Sequence, residues 1–178
     1  MNFSLKFFKI LILLFLIQIN SYSQRTDTSQ LISVSANIIA KGTPEYYPEK
    51  IDNQNYFTLL TILNNQDTMI SFLVRECSWA KDNWVVNNDS VYFLTPGCDI
   101  NSVEIIKLKP HESIYFYGML RSRKADLAYK DFKVGFIYFK KYATMKEYQK
   151  GELKKSDCQI YWSNQIKLQG NLFRYKKE

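Results

Sequence analysis

Apolar and polar residues alternate along most of the chain in short runs separated by turn-forming residues, the pattern of half-buried β-strands. Ile32 to Ala40 places Val34, Ala36 and Ile38 on one face and Ser33, Ser35 and Asn37 on the other. Tyr56 to Leu63 predicts a second strand. Asn64-Asn65-Gln66-Asp67 then breaks the chain before Thr68 to Glu76, where Ile70, Phe72 and Val74 share a face, and four turn-forming residues between two strands predict a hairpin. Ser90 to Leu94 ends at Thr95-Pro96-Gly97, and Val103 to Leu108 ends at Pro110. His111 to Leu120 puts Ile114, Phe116 and Leu120 on one face and Tyr115, Tyr117 and Met119 on the other. Phe132 to Phe139 is apolar on both faces and predicts a central strand, and Gln159 to Leu168 supplies the last. The exception is Thr144 to Lys154, where Thr144 and Glu147 have capping-box spacing; it predicts a short surface helix between the last two strands, limited by Gly151. The pattern as a whole predicts an all-β fold, an antiparallel β-sandwich of about eight strands with one short helix near the C-terminus.

The first 23 residues depart from this rhythm. Lys6 and Lys9 precede an unbroken apolar run from Ile10 to Ile17, then polar residues ending in Ser21-Tyr22-Ser23, with no acidic residue in the stretch. This is the pattern of a secretory signal peptide cleaved after Ser23. The apolar segment Phe7 to Ile19 is 13 residues, about 20 Å of helix against a hydrocarbon core of about 30 Å, which argues against a spanning anchor. A single domain over residues 24–178 is expected, without stable membrane insertion after cleavage, in the periplasm, at the cell surface or outside the cell.

Charge changes the picture little. The full chain has 24 basic and 17 acidic residues, net +7, and loss of Lys6 and Lys9 lowers this to +5. Its basic clusters, Arg121-Ser122-Arg123-Lys124, Lys140-Lys141, Lys154-Lys155 and Lys176-Lys177, lie far apart in sequence, unlike the concentrated stripe of a nucleic-acid binder, so no nucleic-acid partner is expected. Export would place Cys77, Cys98 and Cys158 where disulfides persist. A bridge between Cys77 and Cys98 is the favoured pairing. It would enclose 20 residues, worth about 3 kcal/mol in the loop-entropy model; the other reading is three buried thiols.

Catalytic and metal signatures are weak. His111 is the one histidine and sits at a turn beside Pro110, and the sequence has no Gly-x-Ser-x-Gly elbow, Gly-rich phosphate loop or Cys-x-x-Cys pair. Asp82, Asp89 and Asp99 gather around one loop, and Asn87-Asn88-Asp89 with Asp99 and Asn101 offer oxygen donors, but without EF-hand spacing. No catalytic residue, metal site or cofactor is assigned. The segment Ser78 to Asn88 places Trp79 and Trp84 beside Asn83, a combination suited to stacking on and orienting a sugar or peptide, the other and weightier reading being that one or both indoles plug the end of the sandwich core; Tyr115 and Tyr117 pose the same choice on a strand face.

The run Ile106-Lys107-Leu108-Lys109-Pro110-His111-Glu112-Ser113 leading into an alternating strand resembles the strand, turn and strand of immunoglobulin-like and fibronectin-like sandwiches of exported bacterial proteins, over about residues 31 to 170. Trp79 stands two residues after Cys77 instead of on a following core strand, a departure from the order of true immunoglobulin domains. Such folds host many functions, so the resemblance implies a fold and assigns no functional residue. The expected function is a non-enzymatic interaction protein recognising a protein or glycan partner, with Trp79, Asn83, Trp84, Tyr115 and Tyr117 as candidate contacts. The alternatives are a secreted hydrolase or enzyme inhibitor with its site in the Trp79 to Asp99 loops, and a structural subunit of a surface assembly.

Overall fold

The computed structural model describes residues 30–41, 55–95, 101–122, 131–152 and 158–167; the expected signal peptide and Cys98 lie outside them. Among the described residues nine strands and two short helices follow in the order β1 (Ile32–Lys41), β2 (Asn55–Asn64), β3 (Ile70–Arg75), α1 (Trp79–Asp82), β4 (Trp84–Val86), β5 (Val91–Leu94), β6 (Val103–Leu108), β7 (Ser113–Ser122), β8 (Val134–Tyr138), α2 (Tyr142–Gln149) and β9 (Gln159–Trp162). The fold is mostly β. Every strand pairing is antiparallel, in a four-stranded sheet β1-β2-β7-β5, a two-stranded sheet β3-β6 and a three-stranded sheet β4-β8-β9.

The period-two pattern fixes which residues meet. Ile32, Val34 and Ala36 of β1, Tyr56, Leu60 and Ile62 of β2 and Leu120 of β7 bury against Ile70, Phe72 and Val74 of β3, Trp84 of β4 and Val134 and Phe136 of β8, so the sheets share one core. Phe72 and Trp84 each lie edge-on to Phe136, with centroids 5.1 and 5.2 Å away, and Trp84 reaches across to Phe116 of β7 at 6.0 Å. β8 is buried throughout because it is covered twice. Val134, Phe136 and Tyr138 face the main core, while Ile137 lies with Leu73, Phe139 and Met145 of α2 in a second cluster behind it.

Two local expectations are corrected. β2 and β3 do not form a hairpin: β2 pairs with β1 and β7, and β3 with β6. The reason is Asn64, fully buried at the crossing between sheets. Its Nδ2 donates to the carbonyls of Thr68 at 2.9 Å and Lys109 at 2.8 Å, its Oδ1 accepts from Gln66 N–H at 2.9 Å, and its own N–H donates to Glu112 O at 3.0 Å. An asparagine that satisfies backbone groups of two separate turns carries the chain from one sheet to another. Likewise Thr144 is not the helix cap. Helix α2 begins two residues earlier, with extended Lys141 at the N-cap and no side-chain cap bond. Its end does follow the sequence. Gly151 takes the left-handed conformation (φ +72°), and the Gly151 and Glu152 N–H groups donate to Tyr148 O and Glu147 O, both at 3.0 Å, a Schellman arrangement that only a residue without a Cβ adopts cheaply.

Burial raises the phenol pKa of four tyrosines among the described residues. Desolvation raises the phenols of Tyr56, Tyr138 and Tyr148, and burial followed by the neighbouring Tyr138 pushes Tyr161 up to about 12. A pKa higher folded than unfolded means that the native state holds the proton longer, so this stability is complete below the unfolded value near 10 and is lost as pH rises toward 12. The thermal midpoint is therefore expected to fall steeply above pH 10, as phenolate absorbance rises. Tyrosines titrating at their ordinary pKa in the folded protein would contradict this.

Candidate binding surface

The five candidate contact residues divide between core and surface. Trp84 is 2% exposed and Asn83 is fully buried, so neither is within reach of a surface partner. Asn83 acts as a bracket between strands. Its Oδ1 accepts from Arg75 N–H at 3.0 Å, its Nδ2 donates to Leu73 O at 2.8 Å, and its own carbonyl accepts from Ile137 N–H at 2.8 Å. Trp79, half-buried on α1, packs 5.2 Å from the Phe116 ring and comes so close to Gly118 that a Cβ there would lie 3.1 Å from its Cη2. The indoles of Trp79 and Trp84 thus complete the packing between sheets.

The polar side chains of the same region hold its loops. Asn101 Oδ1 accepts from Ser78 N–H at 3.2 Å while its Nδ2 donates to Ser78 Oγ at 2.6 Å, and the Ser78 hydroxyl donates to Asp82. Asn87 Oδ1 accepts from Lys133 N–H at 2.6 Å, and Asn88 Oδ1 closes a turn on Ser90 N–H at 2.9 Å. Of the residues whose oxygens suggested a cation site, Asn87, Asn88 and Asn101 thus accept from backbone N–H groups, and Asp99 lies outside the described residues. Among the described residues no group of three or more His, Cys, Asp or Glu could hold a metal. His111, in left-handed conformation (φ 57°), faces solvent with its Nε2 3.0 Å from Asp67 Oδ1. Cys77 is disulfide-bonded and Cys158 is a thiol. The pairing of Cys77 with Cys98 remains an expectation, since Cys98 lies outside the described residues.

Tyr115 and Tyr117 remain as a surface. They project from the outer face of β7 with 58% and 73% of their area exposed. Register sets their surroundings: Tyr115 stands opposite Thr61 and then Ser35, and Tyr117 opposite Leu59 and then Asn37. Two phenol rings therefore lie beside hydroxyl, amide and aliphatic neighbours on a rigid four-stranded sheet. The next pair along β7, Phe57 and Met119, is half-buried and extends the face toward Leu94 of β5.

Another exposed aromatic, on a different sheet, is absent from the sequence reading. Trp162 of β9, 43% exposed, lies across Gly135 of β8 on the opposite, outer face of the three-stranded sheet. A Cβ at Gly135 would come 2.8 Å from Trp162 Cε3 and 2.7 Å from Ile160 Cγ2, so the glycine makes the seat for both side chains. Alternation of Ile160 and Trp162 around buried Tyr161 carried this signal in the sequence.

Among the described residues no helix is long and apolar enough to cross a membrane. No family model matches the chain, and no curated protein matches it. Among solved structures it is similar to a FixG-related protein from Vibrio parahaemolyticus, at 12% identity and a TM-score of 0.34, with 78% of this chain and 97% of that chain covered.

Proposed function

We propose that this chain is an exported, non-enzymatic binding protein with an immunoglobulin-like β-sandwich, which recognises a protein or glycan partner in the cell envelope or outside the cell. Its N-terminal 23 residues serve as the signal peptide, and the remainder is one domain. The observation that carries the reading is the exposed Tyr115/Tyr117 pair on the outer face of the four-stranded sheet. Tyrosine gives large contact area at low entropic cost, with a hydroxyl for orientation, and it is enriched where partners bind. Thr61, Ser35 and Asn37 in the same rows supply hydrogen-bonding groups, and a sheet holds them without rearrangement. The disulfide at Cys77 accords with an oxidising compartment.

The test is affinity capture from the envelope and medium of the producing cell with residues 24–178 as bait and the Tyr115→Ala/Tyr117→Ala variant as control. A partner retained by the native chain and lost by the variant is expected. Because both side chains are exposed, each substitution should change stability by no more than about 0.5 kcal/mol. A partner held equally by both baits would remove this face from the binding site.

A further inference from the structure

The outer face of the four-stranded sheet carries no charge over most of its length. From the row of Ser113, Leu63 and Ser33 to the pair Met119 and Phe57, no outward position on β1, β2 or β7 is Asp, Glu, Lys or Arg, although these make up 23% of the chain. Exposed strand positions elsewhere are charged, as at Glu104 and Lys107 of β6. The polar groups of this face are also uncommitted. Whereas Asn83, Asn101 and Asn164 bind backbone groups, the side chains of Ser35, Asn37 and Thr61 make no hydrogen bond to another described residue. A solvent-facing surface rich in tyrosine and depleted of charge has the composition of an interface core.

We propose that this face binds an uncharged glycan, its sugar rings laid against Tyr115 and Tyr117 and its hydroxyls bonded to Thr61, Ser35 and Asn37; the proposal rests on the reading of the tyrosine pair as a binding surface. Charge decides against an acidic or basic partner. A carboxylate, sulfate or ammonium brought onto these rows would lose water and meet no opposite charge. Topology decides against an extended peptide: β7 is paired with β2 on one side and β5 on the other, so the tyrosines stand on a strand with no free edge for another strand to join. An apolar patch on a protein partner would cover three hydrogen-bonding side chains without satisfying them, at a desolvation cost for each. A sugar meets both demands. Its ring carbons present an apolar C–H face to an aromatic ring, and its hydroxyls donate and accept as serine, threonine and asparagine require. Tyr115 and Tyr117 are two residues apart, about 7 Å along the strand, the scale of one sugar residue, so neighbouring rings of an oligomer meet both.

The test titrates residues 24–178 by calorimetry with maltohexaose, cellohexaose, mannohexaose and N-acetylchitohexaose, and with hexagalacturonate as the charged control. Saturable binding of at least one uncharged oligosaccharide is expected, with a dissociation constant of about 1 mM or below, and the galacturonate weaker by roughly tenfold. Raising NaCl from about 0.05 to about 0.5 M should change the affinity less than about twofold, since no charge pair is screened. Tyr115→Ala and Tyr117→Ala should each weaken binding roughly tenfold, whereas Tyr115→Phe/Tyr117→Phe, which keeps both rings, should stay within about threefold. No saturation by any of the four up to about 10 mM, galacturonate bound as tightly, or sugar bound equally by Tyr115→Ala/Tyr117→Ala would each overturn the proposal. Affinity capture separates its failure from that of the binding surface. A sugar-free protein captured by the native chain and lost by Tyr115→Ala/Tyr117→Ala, beside four flat titrations, removes the glycan and keeps the face; identical captures by both baits remove the face itself.

Discussion

Replacing Trp84 by alanine is expected to cost about 3–5 kcal/mol of folding stability, the range for deleting a large aromatic from a packed interior. Trp84 is 2% exposed, and its ring lies within 6.5 Å of Phe93, Phe116 and Phe136, which come from β5, β7 and β8. Those neighbours are fixed by strand pairing and cannot collapse into the space, so most of the cavity would remain. The cost is a large share of the 5–15 kcal/mol that ordinarily separates folded from unfolded chains. Urea denaturation would show it as a lower midpoint at unchanged slope. Tyr117→Ala, measured beside it, should leave the midpoint in place. Equal midpoints for the two variants would mean that the indole does not serve the core.

Asn83→Ala should be almost as damaging although it removes no apolar surface. The side chain satisfies Arg75 N–H and Leu73 O, backbone groups of a strand that is paired with β6 on its other side. Without it two backbone groups in the interior lose their partners, at about 1–3 kcal/mol each. Asn83→Asp separates hydrogen bonding from shape. The aspartate would keep the acceptor for Arg75 N–H, lose the donor to Leu73 O, and place a carboxylate where the native residue is fully buried. Desolvation would raise its folded pKa above the unfolded value near 4. The variant should therefore recover stability on acidification, when a protonated carboxyl can donate to Leu73 O, and lose it as pH rises through the raised folded value. Denaturation of the variant relative to the native chain between pH 4 and pH 7 measures this. A difference independent of pH would show that the carboxylate has escaped to solvent.

Much of the fold was legible because its strands alternate cleanly. On β1, Val34, Ala36 and Ile38 point inward as their spacing requires, and on β7 the division between Ile114, Phe116 and Leu120 and the outward tyrosines holds residue by residue. The central position of β8 followed from its two apolar faces. What escaped was non-local. Asn64-Asn65-Gln66-Asp67 carries the composition of a hairpin turn, and only the bonds of Asn64 to Lys109 and Glu112, some 45 residues away, turn it into a crossing between sheets. The three residues of β4 were too few to show a period, so a core and a ligand-contacting role for Trp84 both stood open, and only the structure places Trp84 and Asn83 in the interior. Tyr115 and Tyr117 were correctly set on the face opposite the core, because strand alternation alone decides that.

Asn164 joins the two ends of the fold through backbone. Its Oδ1 accepts from Ala36 N–H at 2.9 Å and its Nδ2 donates to Ala36 O at 3.2 Å, across 128 residues of sequence. A side-chain amide thus occupies the place a neighbouring strand would take on the outer edge of β1. The contact lies at the middle of β1, where the ladder to β2 leaves the other side of the strand open. An Asn164→Ala variant is therefore expected to leave the Ala36 N–H and C=O open on the edge of β1, read as faster amide hydrogen exchange at Ala36 than in the native chain.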